Sequence, residues 1–131
     1  MSEENSSNPK RRISMTREFV ILPSFAVKWK NLGLTDDDMR RLEDEILEDP
    51  KVGPVMQGTG GVRKMRFAFE NRGKSGSVRV IYVDFEVYEK VYFVDTYQKS
   101  DKENLTKEER NNLKKAVELL ELSLEKGSGK K

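Results

Sequence analysis

The chain has 131 residues, of which 37% are charged and 35% apolar, yet its net charge is only +2. This length suits one domain, and the apolar residues cluster in periodic blocks that predict a folded core. Cysteine and histidine are both absent, which excludes disulfides, Cys/His zinc sites and histidine-assisted catalysis. No apolar run approaches the roughly 20 residues of a membrane span and no secretory leader opens the chain, so we expect a cytoplasmic location.

The chain begins with a polar segment that is followed by a short strand. Residues 1–14 are rich in Ser and Asn and include the basic run Lys10-Arg11-Arg12. We expect a disordered tail, and the sequence leaves open whether these cations contact phosphate or are only solvated. Residues 17–22 predict a short buried strand, which Pro23 ends because proline cannot continue a strand ladder.

Two helices are predicted next. In the first, Ser24 is the expected N-cap, and Phe25 and Trp29 share one face because they are four residues apart. In the second, Thr35 precedes three aspartates that suit the positive end of a helix dipole, and apolar residues recur at helical spacing as far as Pro50. The aspartates could hold a hard cation, but acids at such a position are usually part of a helix start.

Three strands and a long helix complete the predicted domain. Thr106-Lys-Glu-Glu109 is a capping box, and the apolar stripe behind it predicts a helix that ends near Gly127. The order β-α-α-β-β-β-α predicts an α+β domain over residues 15–125, with the helices on one face of a curved sheet and a flexible tail over 126–131. The three strands form an antiparallel meander, and they span residues 62–69, 77–85 and 89–99.

Charge is sorted along the chain. Residues 63–79 hold six cations and the single acid Glu70, whereas residues 34–50 hold eight acids and two cations. A basic window on a nearly neutral protein predicts a polyanionic partner at one place, and phosphate is the commonest such group. The six cations are Arg63, Lys64, Arg66, Arg72, Lys74 and Arg79.

Alternation along the first strand of the meander separates these cations into two faces. Lys64 and Arg66 share one face, whereas Arg63 points with Met65 and Phe67 to the other. Because the apolar residues mark the helix-covered side, we expect Lys64 and Arg66 on the open face.

Further candidate residues lie on the next two strands. Arg79 is near the start of one strand, and Tyr97 and Lys99 share a face of the other. The sequence does not determine the register between the strands, so it leaves open which of these faces is exposed. A solvated strand face with cations that protect a sheet edge is the alternative interpretation.

Two glycine-containing motifs do not indicate nucleotide binding. Gly73-Lys74-Ser75 looks like the end of a P-loop, but Ala68 occupies the position of the earlier glycine and the motif lies between strands. Gly58-Thr-Gly-Gly61 lacks the preceding strand and following helix of a dinucleotide site, so it predicts a turn or hinge.

Three segments carry a family resemblance. They are Gly58-Thr-Gly-Gly-Val-Arg-Lys-Met-Arg66, then Arg72-Gly-Lys-Ser-Gly with Val78-Arg-Val-Ile-Tyr82, then Tyr97-Gln-Lys-Ser-Asp-Lys-Glu-Asn-Leu-Thr106. Together they resemble the RelE/HigB superfamily of bacterial toxin-antitoxin toxins, in its HigB-like branch. The resemblance implies a RelE-like fold and a ribosome-dependent endoribonuclease that cuts mRNA in the ribosomal decoding site. It also implies a cognate antitoxin protein as partner.

The resemblance implies site residues as well. By matching position, the catalytic candidates are Lys64, Arg66, Arg79, Tyr97 and Lys99. Many relatives place a catalytic tyrosine further toward the C-terminus, where this chain has none after Tyr97. The further candidates for RNA or phosphate contact are Arg63, Arg72, Lys74 and Tyr82.

The chemistry of RNA cleavage is compatible with these side chains. Attack by a 2′-OH needs a base, an in-line arrangement and stabilisation of the negative charge on phosphorus. Lys64 is the candidate base, because neighbouring cations disfavour the charged form of a lysine. Arg66 and Arg79 stay charged and can hold the phosphate, and Lys99 or Tyr97 would lie closest to the leaving 5′-oxygen. We expect neither a metal nor another cofactor.

Two other functions stay open. A toxin of the same fold that binds another target, such as gyrase, would not need a clustered basic site. A catalytically silent RNA-binding or protein-binding domain is the third possibility, because the four tyrosines could supply a stacking surface.

The position of the antitoxin is also a prediction. The HigB-like branch that the chain resembles often binds its antitoxin away from the active residues, which implies inhibition by exclusion of the toxin from the ribosome. We therefore expect the antitoxin not to fill the basic face and to contact the acidic helix, where Glu43 and Glu45 lie.

Overall fold

The computed structural model describes residues 16–69, 76–102 and 104–128, so the predicted tail over 1–14 lies outside the described residues. The order of elements is β-α-α-β-β-β-α, as predicted. The last helix continues to Ser128, past the predicted domain end at residue 125. The elements are β1 (Glu18–Ile21), α1 (Pro23–Asn31), α2 (Asp36–Glu48), β2 (Arg63–Ala68), β3 (Ser77–Phe85), β4 (Lys90–Gln98) and α3 (Lys107–Ser128), with a 3-10 helix at Glu86–Tyr88.

The strands form one four-stranded sheet in the order β1-β4-β3-β2. The predicted antiparallel meander of β2, β3 and β4 is confirmed. β1 pairs with β4 in parallel, so that Glu18 lies opposite Lys90 and Ile21 lies opposite Phe93. The sheet is therefore mixed, with β1 and β2 at its two edges.

Helices cover both faces of the sheet, which corrects the prediction that all of them pack on one face. Val80 and Tyr82 of β3 belong to a core with residues of α1 and α2. Ile81 and Val83, which alternate with them, belong to a second core with Val117 of α3. Because alternate residues of a strand point to opposite sides, α3 lies on the face opposite α1 and α2. β3 is apolar on both sides for this reason.

The helix starts follow from local sequence in two of three cases. Thr35 and Asp38 form a capping box on α2, with the Thr35 backbone N–H donating to the Asp38 carboxylate at 2.8 Å. Thr106 and Glu109 bond each other in the same way at α3. The prediction of Ser24 as a cap is wrong, because α1 begins at Pro23, which suits the first turn of a helix by its fixed φ.

A glycine-rich turn leads into β2, as the sequence predicted. Gly58, Gly60 and Gly61 all have positive φ, at 77°, 77° and 112°, a region that other residues rarely adopt. Thr59 is fully buried between them, and its hydroxyl donates to the Met56 carbonyl at 2.7 Å and accepts from the Val62 N–H at 3.0 Å. The turn is thus a structural support for β2.

Gly53 packs against the backbone of β2, and we expect Gly53→Ala to destabilise the protein. A Cβ there would lie 2.9 Å from the Lys64 carbonyl oxygen and 3.1 Å from Met65 Cβ. The strand would have to shift, which lowers the free energy of unfolding by about 1–3 kcal/mol in denaturant titrations. Gly127→Ala is the matched control, since within the described part of the chain no heavy atom beyond its chain neighbours and the backbone of its own helix lies within 4 Å of the Cβ position. Equal effects of the two substitutions would contradict this interpretation.

Candidate active site

Strand register brings candidate residues from three strands to one face. Arg66 on β2 lies opposite Arg79 on β3, and Arg79 lies opposite Tyr97 on β4. Lys64 lies opposite Ile81, whose side chain is in the core beneath α3. Because directly opposite residues point to the same side of a sheet, all four candidates share the α3 face.

The prediction that Lys64 and Arg66 lie on the side of β2 opposite its apolar residues is confirmed. On that side, α3 leaves part of the sheet uncovered. Met65 and Phe67 are buried on the α1 and α2 side, whereas Arg66 is exposed and Lys64 is half-buried on the opposite side. A cleft of about 370 Å³ remains open on the α3 face. We call it the basic cleft, and its lining residues are Arg66, Phe69, Gly76, Ser77, Arg79, Gln98, Lys99 and Ser100.

Arg79 is held in place within the basic cleft. Arg79 is only 8% exposed, and its Nη1 donates a hydrogen bond to Ser77 Oγ at 3.1 Å. Its backbone carbonyl accepts from the Thr96 hydroxyl at 2.8 Å. The guanidinium is therefore oriented before any ligand binds, which is the property that stabilises charge developing in a transition state.

The pairing of Arg66 with Arg79 is unfavourable for the sheet alone. Like charges on directly opposite strand positions destabilise a sheet, because they repel each other. Protection of the sheet edge by a charged side chain explains Arg66, because β2 is an edge strand. It does not explain Arg79, because β3 lies inside the sheet. An anion bound by both guanidiniums would remove the repulsion.

Tyr97 lies on the same face but beneath its surface. The residue is 6% exposed, and its hydroxyl makes no hydrogen bond with the described residues. Lys102 Nζ lies 5.3 Å from the centre of its ring and donates to Glu109 at 2.6 Å. Burial raises the pKa of the Tyr97 hydroxyl, and the nearby cations Lys102 and Arg79 oppose this shift.

We expect Tyr97→Phe to leave stability unchanged or slightly higher, because it removes a buried hydroxyl that has no hydrogen-bond partner among the described residues. Tyr82→Phe is the matched comparison. It removes a hydroxyl that donates to the Pro50 carbonyl at 2.8 Å and accepts from the Gly53 N–H at 3.0 Å. We therefore expect Tyr82→Phe to lower the free energy of unfolding by about 1–3 kcal/mol. Thermal and urea unfolding of both variants measure the difference, and a larger loss for Tyr97→Phe would be the contrary result.

Arg63 and Tyr82 lie on the other face, away from the basic cleft. Arg63 Nη1 donates to the Gly53 carbonyl at 2.7 Å. Tyr82 is fully buried, and burial raises the pKa of its hydroxyl. Both side chains hold the segment before β2, so we leave them out of the proposed site. Arg72 and Lys74, the other two candidates for phosphate contact, lie outside the described residues.

A sequence model described as "RelE toxin of RelE / RelB toxin-antitoxin system" matches residues 26–127, well over half of the chain. The chain belongs to the RelE toxin family. Among solved structures, E. coli toxin RelE in the free state, with two arginines changed to alanine, is similar with a TM-score of 0.48. Its sequence is 15% identical, and the match covers 68% of this chain and 90% of that chain.

Membership of the RelE family makes this chain the toxin of a toxin-antitoxin system and implies a RelB-type antitoxin as its partner. The HigB-like branch of the superfamily stays a prediction. Within the described ranges, no helix is long and apolar enough to cross a membrane. The described residues also contain no group of three or more acidic, histidine or cysteine side chains that could hold a metal ion.

The sequence analysis did not identify Ser77 and Phe69, which line the basic cleft, or Lys102, which lies over the Tyr97 ring. Ser77 had a usable signal, because it lies two positions before Arg79 on the same strand and so shares its face. Lys102 had none, since its position over Tyr97 depends on how the segment before α3 folds back. Phe69 continues the apolar alternation of β2 and also lines the cleft, which alternation alone does not indicate.

Proposed function

We propose that this RelE-family toxin is a ribosome-dependent endoribonuclease that cuts mRNA in the decoding site. The observation that carries the proposal is the pairing of Arg66 with Arg79 at the basic cleft. Two arginines on neighbouring strands can hold one phosphate from two sides, each with the planar fork that suits phosphate oxygens. Stability does not account for this pair, and phosphate binding does.

The proposed reaction is an in-line displacement at the scissile phosphate. Lys64 accepts the proton of the 2′-OH, the 2′-oxygen attacks phosphorus and the bond from phosphorus to the 5′-oxygen breaks. Lys99 donates a proton to the leaving 5′-oxygen, so that the products carry a 2′,3′-cyclic phosphate and a 5′-OH. Arg66 and Arg79 stabilise the additional negative charge of the pentacoordinate phosphorus.

Tyr97 is assigned a positioning role in this reaction. Its hydroxyl is buried and its ring lies under Lys102, so it is poorly placed to donate a proton to RNA. It lies directly opposite Arg79 on the neighbouring strand, and the Arg79 guanidinium is near enough to lower the pKa of its hydroxyl. The general-acid role passes to Lys99, which lines the cleft two residues further along.

The open cleft accounts for dependence on the ribosome. A basic surface attracts RNA without regard to sequence and without fixing its conformation. Cleavage through the 2′-OH needs in-line geometry, and ordering the reacting groups contributes several orders of magnitude in rate. The decoding site would supply this order.

The alternative of a silent RNA-binding domain is less well supported. Such sheets recognise RNA by stacking bases on exposed aromatic rings. Tyr82 and Tyr97 are buried, and Tyr88 and Tyr92 are half-buried and packed against the α3 core. The tyrosines therefore do not form a stacking surface. A gyrase-type toxin would leave the opposed arginines without a role.

The test is to add the purified toxin to ribosomes programmed with a defined mRNA and, separately, to the same mRNA alone. We expect cleavage with the ribosome to be at least about 100-fold faster and to leave 2′,3′-cyclic phosphate ends, because the ribosome orders the substrate. Equally fast cleavage of the free mRNA would contradict ribosome dependence. Arrest of translation with intact mRNA would instead favour a toxin that acts by binding.

A further inference from the structure

The strand β4 contains one extra residue a short distance from the basic cleft. Asp95 lies opposite Ile81, whereas Phe93 lies opposite Tyr82, the next residue along β3. The register between the two strands therefore skips Val94. An extra residue of this kind is a β-bulge, and bulges are common beside active sites because they redirect the side chains that follow them.

The bulge changes which face of the sheet the end of β4 presents. Phe93 lies before the bulge, and its side chain is in the core with α1 and α2. In a regular strand Tyr97 would share that face, because an even number of residues separates the two. Tyr97 instead belongs to the core beneath α3 and lies opposite Arg79. The bulge thus brings Tyr97, and Lys99 after it, to the face that carries Arg79.

Thr96 follows the bulge and is a buried polar residue. It is 1% exposed and lies opposite Val80, which is in the core with α1 and α2. Burying a hydroxyl there is unfavourable unless it is hydrogen-bonded, and a valine of the same shape would suit a strand equally well. The hydroxyl donates to the Arg79 carbonyl oxygen at 2.8 Å. Thr96 therefore ties the bulged part of β4 to the backbone of a residue that lines the cleft.

Hydrogen bonds continue from this contact in both directions. The Thr96 backbone N–H donates to Asp95 Oδ1 at 2.9 Å, and Lys28 Nζ of α1 donates to the same oxygen at 2.8 Å. On the other side, Arg79 Nη1 donates to Ser77 Oγ at 3.1 Å. The contacts run from α1 through the bulge to the Arg79 guanidinium, and the Thr96 hydroxyl makes the connection between the two strands.

We propose that Thr96 is a positioning residue of the basic cleft, whose hydroxyl fixes Arg79 of β3 relative to Lys99 beyond β4. The proposal rests on the proposed function and deepens it. In that reaction Arg79 holds the phosphate and Lys99 protonates the leaving oxygen, so the rate depends on how the two strands are held together. Misplacing reacting groups by a small distance slows a reaction strongly. Thr96 itself does not line the cleft.

Three substitutions in the full-length toxin test the role of the hydroxyl. Thr96→Val removes it and keeps the shape of the side chain, whereas Thr96→Ser keeps it. Thr59→Val is the matched control, because Thr59 is also fully buried and its hydroxyl donates to the Met56 carbonyl at 2.7 Å. Thr59 lies in the glycine-rich turn and does not line the basic cleft. All variants are assayed below the temperature at which they begin to unfold.

Single-turnover cleavage on programmed ribosomes, at increasing toxin concentration, separates the maximal rate from the half-saturating concentration. We expect Thr96→Val to lower the maximal rate by roughly 10-fold to 100-fold. The half-saturating concentration should change by less than about threefold, because the charge of the cleft is unaltered. Thr96→Ser should stay within about threefold of the wild-type maximal rate, because its hydrogen bond remains. Thr59→Val should cleave at the wild-type rate although it is destabilised.

Three results would overturn the proposal. The first is a wild-type maximal rate in Thr96→Val. The second is an equal loss of rate in Thr96→Val and Thr59→Val, since lower stability would then be the cause. The third is an equal loss in Thr96→Val and Thr96→Ser, since the methyl group and not the hydroxyl would then matter.

A measurement without mRNA distinguishes failure of this inference from failure of the proposed function. The Nε–H signal of Arg79 is followed by ¹⁵N NMR during titration with inorganic phosphate, and it is assigned by its loss in Arg79→Lys. We expect Thr96→Val to need at least about threefold more phosphate than wild type or Thr96→Ser for the same shift. An identical titration in Thr96→Val would overturn the positioning role. If the wild-type toxin leaves mRNA intact, the proposed function fails, and the titration still decides whether Thr96 orients Arg79.

Discussion

Replacing Lys64 and Arg66 together by alanine should reduce mRNA cleavage on the ribosome by about 10³-fold or more and relieve growth arrest. Removing a general base or a group that stabilises transition-state charge each reduces rates by about 10²-fold to 10³-fold. The two effects are not expected to multiply, because both side chains act on one phosphate. The rate is measured from the appearance of cleaved ends in single-turnover reactions.

Arg40→Ala is the control for this loss. Arg40 is exposed on α2, where it bonds Asp37 of the same helix, and α2 lies on the opposite side of the sheet. It should leave cleavage unchanged, although it removes the same charge as Arg66→Ala. Unfolding curves of the double variant should match wild type, because Arg66 is exposed and Lys64 only half-buried. Undiminished cleavage by a folded double variant would exclude these residues from catalysis.

Local patterns were sufficient where the interactions are themselves local. Thr35 and Thr106 each bond a carboxylate three residues ahead, so their capping boxes can be recognised in the sequence. The alternation that places Lys64 and Arg66 opposite Met65 and Phe67 is a property of one strand. These features required no knowledge of the rest of the fold.

Features that depend on distant residues could not be predicted in this way. β1 pairs with β4, about 70 residues later, and nothing in either segment specifies a parallel partner. The face of the sheet on which α3 lies depends on whether its apolar stripe packs against Ile81 and Val83 or against the residues that alternate with them in β3. The burial of Tyr97 and Tyr82 could not be predicted either, since an aromatic residue in a strand is equally compatible with a core and with a binding face.

We expect Arg17→Ala to lower the free energy of unfolding by about 3–5 kcal/mol. This is the largest loss of stability that we expect from substituting a described residue outside the core. Arg17 lies just before β1, and its Nε and Nη2 donate to the two carboxylate oxygens of Asp84 on β3 at 2.7 Å and 3.1 Å. The side chains are 7% and 4% exposed, so the substitution leaves a carboxylate buried without its cation. The hydrogen bond to Asp84 also raises the pKa of the Arg17 guanidinium.

Two variants separate the buried charge from the loss of packing. Lys28→Ala breaks the ion pair between Lys28 and Asp95. Because the Lys28 side chain is 53% exposed, this substitution should change the free energy of unfolding by no more than about 1 kcal/mol. Arg17→Met/Asp84→Leu removes both charges and keeps apolar volume, so it should recover most of the stability lost in Arg17→Ala. Urea unfolding measures all three variants. If the double variant is as unstable as Arg17→Ala, the ion pair itself, rather than the unpaired Asp84, is what holds β1 to the sheet.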